Sequence, residues 1–168
     1  MPSTRLPLPG EAERIVVNTG PLIALGRIDA FDLIGRLPLV FIIPKEVADE
    51  IETGARAGYP VAVPTWATIL SLKDGIVPLG PHLLDAGEAA VIQLAIEQGI
   101  RDVCIDEWRG RRAAAAMGLQ VTGSLGLLGR AKRLGLAPAV SPWVQKLKAC
   151  GIHYHPELLR NFLLAMGE

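Results

Sequence analysis

The run Val16-Val17-Asn18-Thr19-Gly20-Pro21-Leu22-Ile23 constrains the fold more than any other stretch of the chain. An apolar segment too short for a helix stops at a small polar residue. Pro21 then stands where proline suits a first helical turn, and apolar residues continue through Leu25 and Ile28. A buried strand feeding straight into a helix is the building unit of a parallel sheet. The carboxyl ends of such strands form the mouth of the ligand crevice in open α/β proteins. The junction recurs at Val103-Cys104-Ile105-Asp106-Glu107, again apolar and then acidic.

The rest of the chain repeats the alternation. Leu39 to Ile43 reads as a central strand, and Pro44 starts a helix over Lys45 to Glu52 that Gly54 ends. On that helix Val47 and Ile51 share a face, with Glu46 and Glu50 on the adjoining one. Asp29 is placed to cap a helix over Ala30 to Leu37. Residues 54–66 form a loop and the best candidate for a mobile segment facing substrate. Thr68 to Leu72 fits a strand, whereas Ile76 to Leu84 shows no clear pattern. Asp85 opens a helix to about Gln98 that is apolar nearly all round and therefore deeply buried. Strands over Asp102 to Ile105 and Leu119 to Thr122 flank a helix over Arg109 to Met117. Helices follow over Ser124 to Leu134, Ser141 to Ala149 and Pro156 to about Ala165. Strands alternating with helices imply right-handed crossovers and an α/β fold with a mostly parallel central sheet.

The chain has 168 residues, enough for one domain with a sizeable core. Half are hydrophobic and only 5% aromatic, so that core is aliphatic, as expected where helices cover both sheet faces. Residues 1–14 read as an N-terminal extension without the apolar stretch of a signal peptide, and 15–168 as a single domain including the C-terminal helices. No apolar run approaches the roughly 18 residues that span a bilayer, which predicts a soluble protein with no membrane association. Cys104 and Cys150 form no CxxC pair, and a reducing cytoplasm is expected. The formal net charge is zero, so a polyanion would need a local basic patch.

Four oxygen-bearing side chains stand at the right kind of place. Asn18 and Asp106 end two strands, and Glu50 and Glu88 lie near helix ends. Were those strands neighbours, their ends would be about 5 Å apart. Clustered carboxylates repel, and a hard cation such as Mg2+ or Mn2+ removes that cost. Such an ion polarises a phosphoryl oxygen and generates hydroxide near neutral pH, which points to phosphodiester hydrolysis. Plainer roles fit the same residues. Asp85-x-x-Glu88 matches a capping box, Asp106 and Asn18 could cap helices, and Glu50 could be solvated.

Trp108-Arg109-Gly110-Arg111-Arg112 is the densest basic cluster and directly follows Asp106. Arg111 and Arg112 suit phosphate oxygens and Trp108 suits stacking on a base, although an exposed helical turn explains each singly. Lys132 and Arg133 read as charges on the helix dipole, and His153-x-His155 lacks further ligands at metal spacing. No GxGxxG, Walker loop, GxSxG or HExxH occurs, which argues against dinucleotide, P-loop, acyl-hydrolase and zincin chemistry.

Val16-Val17-Asn18-Thr19-Gly20-Pro21-Leu22-Ile23, Ile42-Ile43-Pro44-x-x-Val47-x-x-x-Ile51 and Leu84-Asp85-x-Gly87-Glu88-Ala89 follow one another in a recognisable order. Ile105-Asp106-Glu107-x-x-Gly110-Arg111 and Val121-Thr122-Gly123-Ser124-Leu125-Gly126 complete it. Together they resemble the PIN-domain family of metal-dependent ribonucleases, over about Ile15 to Gly135. The resemblance implies a three-layer α/β/α fold and an acidic pocket for Mg2+ or Mn2+. It also implies cleavage of single-stranded or structured RNA, often by a toxin neutralised by a small antitoxin, and a homodimer.

Carried onto this chain, the resemblance makes Glu50, Glu88 and Asp106 the catalytic acids. Asn18 joins them as a ligand, Glu107 is auxiliary, and Thr19 and Ser124 line the pocket with hydroxyls. Asn18 stands where the family usually has aspartate, and Gly20 where serine is common, so weaker metal binding is implied. A catalytically weak or inactive module binding RNA or protein is the alternative. A small-molecule phosphohydrolase would need a nucleophilic aspartate after the first strand, which Asn18 cannot replace. Leu125, Leu127 and Leu128, or the last helix with Phe162, Leu163 and Leu164, offer candidate dimer surfaces.

Overall fold

The computed structural model describes residues 12–77 and 84–168. The expectation for Ile76 to Leu84 and most of the N-terminal extension therefore lie outside the described residues. Strands β1 (Glu13–Val17), β2 (Leu39–Pro44), β3 (Thr68–Leu70), β4 (Asp102–Cys104) and β5 (Gln120–Thr122) form one sheet in the order β3-β2-β1-β4-β5. Every pairing is parallel. Helices α1 (Thr19–Arg27), α2 (Phe31–Ile34), α3 (Lys45–Arg56), α4 (Ala86–Gln98) and α5 (Trp108–Ala116) make the crossovers. Helices α6 (Ser124–Arg133), α7 (Ser141–Ala149) and α8 (Pro156–Ala165) follow the last strand. This is the three-layer α/β/α architecture expected.

The strand order decides where a site can form. From β1 the chain moves outward through β2 to β3, then returns along α4 to start β4 on the other side of β1. The crevice between the carboxyl ends of β1 and β4 is the switch point where open α/β sheets bind ligands. Asn18 continues the β1–β4 pairing, its N–H donating to Cys104 O at 2.9 Å, and Asp106 stands just beyond β4. Helix α4, packed on β1, β2 and β4, buries Gly87 through Ala95 without interruption. Its uniform apolarity thus matches its central place.

Several local expectations need correction. Asp29 caps nothing; it takes a left-handed conformation (φ 57°) just past α1. There Ala30 N–H bonds Leu25 O at 2.9 Å, a Schellman turn that aspartate tolerates better than most side chains. Only four residues of α2 remain helical, behind an Ala30 cap position. Gly54 does not end α3; the helix runs on to Arg56, and Gly58 (φ 95°) makes the reversal. The following loop is not simply a substrate-facing flap. Val61 is buried, and Trp66 donates from Nε1 to Phe31 O at 3.0 Å while its ring lies 4.6 Å from that of Phe41.

Leu125, Leu127 and Leu128 cannot form a dimer surface, because all three are buried in the core of this chain. A helix following a parallel strand turns its apolar stripe onto the sheet. In α8, by contrast, Leu164 remains 66% exposed. Cys104 is fully buried, the inert small hydrophobe the sequence suggested.

Lys132 has more than a dipole role, since its ammonium bonds Met166 O and the Glu168 carboxylate, both at 2.6 Å. Glu168 also accepts from the N–H groups of Val140 (2.7 Å) and Ser141 (2.9 Å) and from the Ser141 hydroxyl. The Lys132 and Ser141 bonds hold its carboxyl down at about 2, from an ordinary 4.5. A depressed carboxyl stabilises the fold above its unfolded value and loses that contribution as pH falls toward the folded one. Glu168→Gln is therefore expected to lower the melting temperature at pH 7. It should also remove part of the acid destabilisation between about pH 5 and 2, as measured by thermal unfolding across that range.

Candidate functional site

Asn18 occupies the N-cap position of α1 with extended backbone, yet its side chain makes no capping bond. The residue is 3% exposed, and its Oδ1 has no hydrogen-bond partner among the described residues. A buried acceptor without a donor costs about 1–3 kcal/mol, and a cation is one way to satisfy it. Beside it stands Glu50, half-buried on α3, whose Oε2 accepts from the Thr19 hydroxyl at 2.5 Å. The simple solvated role for Glu50 therefore does not hold.

Gly87 joins these two groups. A Cβ there would lie 2.8 and 3.0 Å from the Glu50 carboxylate oxygens and 3.2 Å from Asn18 Oδ1. Only a bare Cα lets α4 approach both oxygen-bearing groups. One turn before Glu50 on α3, Glu46 has a second buried oxygen, Oε2, without a partner among the described residues.

Asp106 has different company. It does not cap α5, whose N-cap is Glu107. Its Oδ1 accepts from the Ser124 N–H at 2.8 Å and its Oδ2 from the Ser124 hydroxyl at 2.9 Å. The same hydroxyl lies 2.7 Å from the Tyr154 hydroxyl. Burial pushes the Asp106 carboxyl up from its ordinary value, opposed by the two Ser124 bonds and the positive charge of Arg111. Gly123 makes this packing possible, since a Cβ there would meet Asp106 Oδ1 at 2.6 Å.

Glu88 is buried and belongs to the capping box. It donates its N–H to Asp85 Oδ1 at 2.7 Å, and its Oε2 accepts from Asp85 N–H at 3.1 Å. Its other oxygen faces α5, 3.1 Å from where a Cβ on Gly110 would stand. Burial raises its carboxyl, against the hydrogen bond from Asp85, while the charges of Asp85 and Glu107 raise it further. Glu107 is exposed and turns Oε1 toward Gly20, within 3.3 Å of a Cβ built there.

The expected acids thus ring one sheet mouth, but each has taken a local partner. Glu50 joins Asn18 and Thr19, Asp106 joins Ser124, and Glu88 joins Asp85. Among the described residues, no three of the carboxylate, histidine and cysteine side chains are grouped closely enough to hold one ion. In this arrangement Glu50, Glu88 and Asp106 each hold a hydrogen-bond partner of their own.

The basic cluster is also partly engaged. Arg111 donates from Nη1 to Ile105 O at 2.8 Å, while the Arg112 guanidinium lies 4.6 Å from the centre of the Trp108 ring. Trp108 is 67% exposed, so its stack with Arg112 faces solvent beside the mouth.

Residues 14–168 match the model of the DUF3368 family, described as a PIN domain. The chain belongs to this PIN-domain family. Among solved structures, a PilT N-terminus domain protein of the hyperthermophilic archaeon Sulfolobus solfataricus P2 is similar to it, with a TM-score of 0.54. At 13% identity, over 70% of this chain and 92% of that one, the likeness concerns the fold. No curated protein matches the sequence. The PIN domain here has no helix, among the described residues, long and apolar enough to cross a membrane.

Sequence reasoning passed over Tyr154 and gave Glu46 no role, although it placed Glu46 on the face of Glu50. Tyr154 lies beyond the last recognisable motif, between α7 and α8, and nothing in its neighbourhood signals a reach toward Asp106. Glu46 had a detectable signal, an i, i+4 spacing to Glu50 on one helix.

Proposed function

We propose that this PIN domain is a Mg2+- or Mn2+-dependent ribonuclease. The observation that carries the proposal is the orphaned, buried Oδ1 of Asn18 beside the Glu50 carboxylate, at the switch point of the sheet. Oxygen donors of this kind fit a hard cation. Asn18 and Glu50 would form one part of its site, with Glu88, Asp106 and auxiliary Glu107 completing it. When bound, the ion would supply Lewis-acid polarisation of a phosphate and an activated water.

The chain's own residues have separate tasks in this reading. Thr19 and Ser124 fix the orientation of Glu50 and Asp106 by donating to them. The Trp108–Arg112 stack offers an aromatic face and a positive charge to a passing strand. Arg111, anchored to Ile105 O, holds its charge near Asp106, where it would face a substrate phosphate. RNA cleavage should appear with added Mn2+ or Mg2+ and disappear on chelation, then return when the ion is restored. Cleavage unaffected by chelation would refute the proposal.

A second reading has its own support. Asn18 carries no charge, and the acids are divided among local partners, which suits a catalytically weak or inactive module that binds RNA or protein. Tight RNA binding without cleavage, in both the wild type and Asn18→Asp, would favour it. A small antitoxin and a homodimer belong to the same proposal, and the exposed Leu164 on α8 marks one apolar contact face.

A further inference from the structure

We infer that Tyr154 is a positioning residue for Asp106, acting through Ser124. The chain Tyr154 hydroxyl, Ser124 hydroxyl, Asp106 Oδ2 has links of 2.7 and 2.9 Å. Ionised Asp106 only accepts, so the single proton of Ser124 points at Oδ2. Ser124 must then accept from Tyr154, which fixes the direction of every bond in the chain. Aligned hydrogen bonds of this kind polarise and strengthen one another.

Ser124 is wholly buried and begins α6, so its hydroxyl has few other orientations open to it. Tyr154 is itself held on the segment between α7 and α8, where Ile152 N–H bonds Leu147 O at 3.0 Å. Its ring packs against the core and lines a cavity of about 610 Å³ together with Lys148, His153, Leu159 and Arg160. The C-terminal helices thus set the direction of an acid that follows β4. Without the tyrosine hydroxyl, Ser124 can turn its proton away and Asp106 loses one of its two tethers.

The inference rests on the proposed role of Asp106 in holding the ion, so its test needs one arm that requires no metal. In the metal-free protein, the Ser124 amide donates to Asp106 Oδ1, and its hydrogen exchange reports that bond. Tyr154→Phe should speed this exchange several-fold while leaving the melting temperature nearly unchanged. In Mn2+ titration by calorimetry, the same variant should bind about five-fold more weakly, the worth of one typical hydrogen bond. In a Ser124→Ala background, Tyr154→Phe should add no further loss.

Unchanged Ser124 exchange in Tyr154→Phe would overturn the inference, whatever the metal result. Equal weakening of Mn2+ binding in both backgrounds would also overturn it, since the effect would then bypass Ser124. A wild type that binds no Mn2+ but shows the exchange effect would sink the ribonuclease proposal and leave the Tyr154–Ser124–Asp106 coupling standing.

Discussion

Asp106→Asn is expected to reduce metal-dependent RNA cleavage by about a hundredfold or more, near 3 kcal/mol of transition-state stabilisation. The substitution keeps size and shape while removing the charge that would face the ion. Its carbonyl oxygen can still accept from the Ser124 N–H. Its amide can donate to the Ser124 hydroxyl, which then donates onward to Tyr154. The network inverts rather than breaks, so the fold survives.

Stability should move the other way from activity. Burial raises the Asp106 carboxyl, so the folded chain holds this proton more tightly than the unfolded chain does. Stability from such a group is present below the ordinary carboxylate range and is lost as pH rises through the raised value. The substituted amide cannot ionise, so in metal-free protein the variant should melt no lower than wild type at pH 7. Its advantage should shrink as pH falls from the raised value toward about 4, the ordinary aspartate value, and be gone below it. Cleavage assays with Mn2+, set beside thermal melts across the acid and neutral range, check both halves. Retained cleavage would remove Asp106 from the proposed site.

The second large effect is expected from Gly87→Ala. An added methyl would stand 2.8 and 3.0 Å from the Glu50 oxygens, closer than a carbon can approach without movement. Those oxygens are the tip of a flexible side chain, so Glu50 yields at little cost to the fold. Alanine is also the better helix former, worth up to about 1 kcal/mol within a helix. The displaced carboxylate leaves both Thr19 and the Asn18 oxygen, which 3.2 Å separates from the new methyl. Cleavage and Mn2+ affinity should each fall about tenfold or more, on the scale seen when groups supporting a metal site are disturbed. Chemical denaturation should show stability within about 1 kcal/mol of wild type. Normal Mn2+ affinity in this variant would show that the Asn18–Glu50 pair does not hold the ion.

Much of the architecture is carried by local pattern. The end of β1 at Val17, the proline in the first turn of α1 and the start of α4 at Asp85 all follow from chemistry within a few residues. The capping box is the clearest instance, since Asp85 and Glu88 satisfy each other's N–H groups across a single turn. Boundaries were less legible where a glycine had two possible uses. Gly54 is tolerated inside α3 because Gly58 takes the left-handed turn instead. The three leucines of α6 illustrate another ambiguity, because an apolar stripe reads the same whether it meets its own sheet or a second chain.

By itself, then, the sequence determined the alternation of strand and helix, the parallel sheet and the oxygen-bearing residues at its carboxyl end. Strand and helix periods act through neighbours two to four residues apart, so the order of residues is enough to express them. The partnerships of Glu50 and Asp106 were decided only in three dimensions. Gly87 meets Glu50 from another helix, and Tyr154 reaches Ser124 across 30 positions of chain. Such contacts arise when crossovers and terminal helices pack on the sheet, and the hydrogen-bond donor that arrives there sets which way a carboxylate turns.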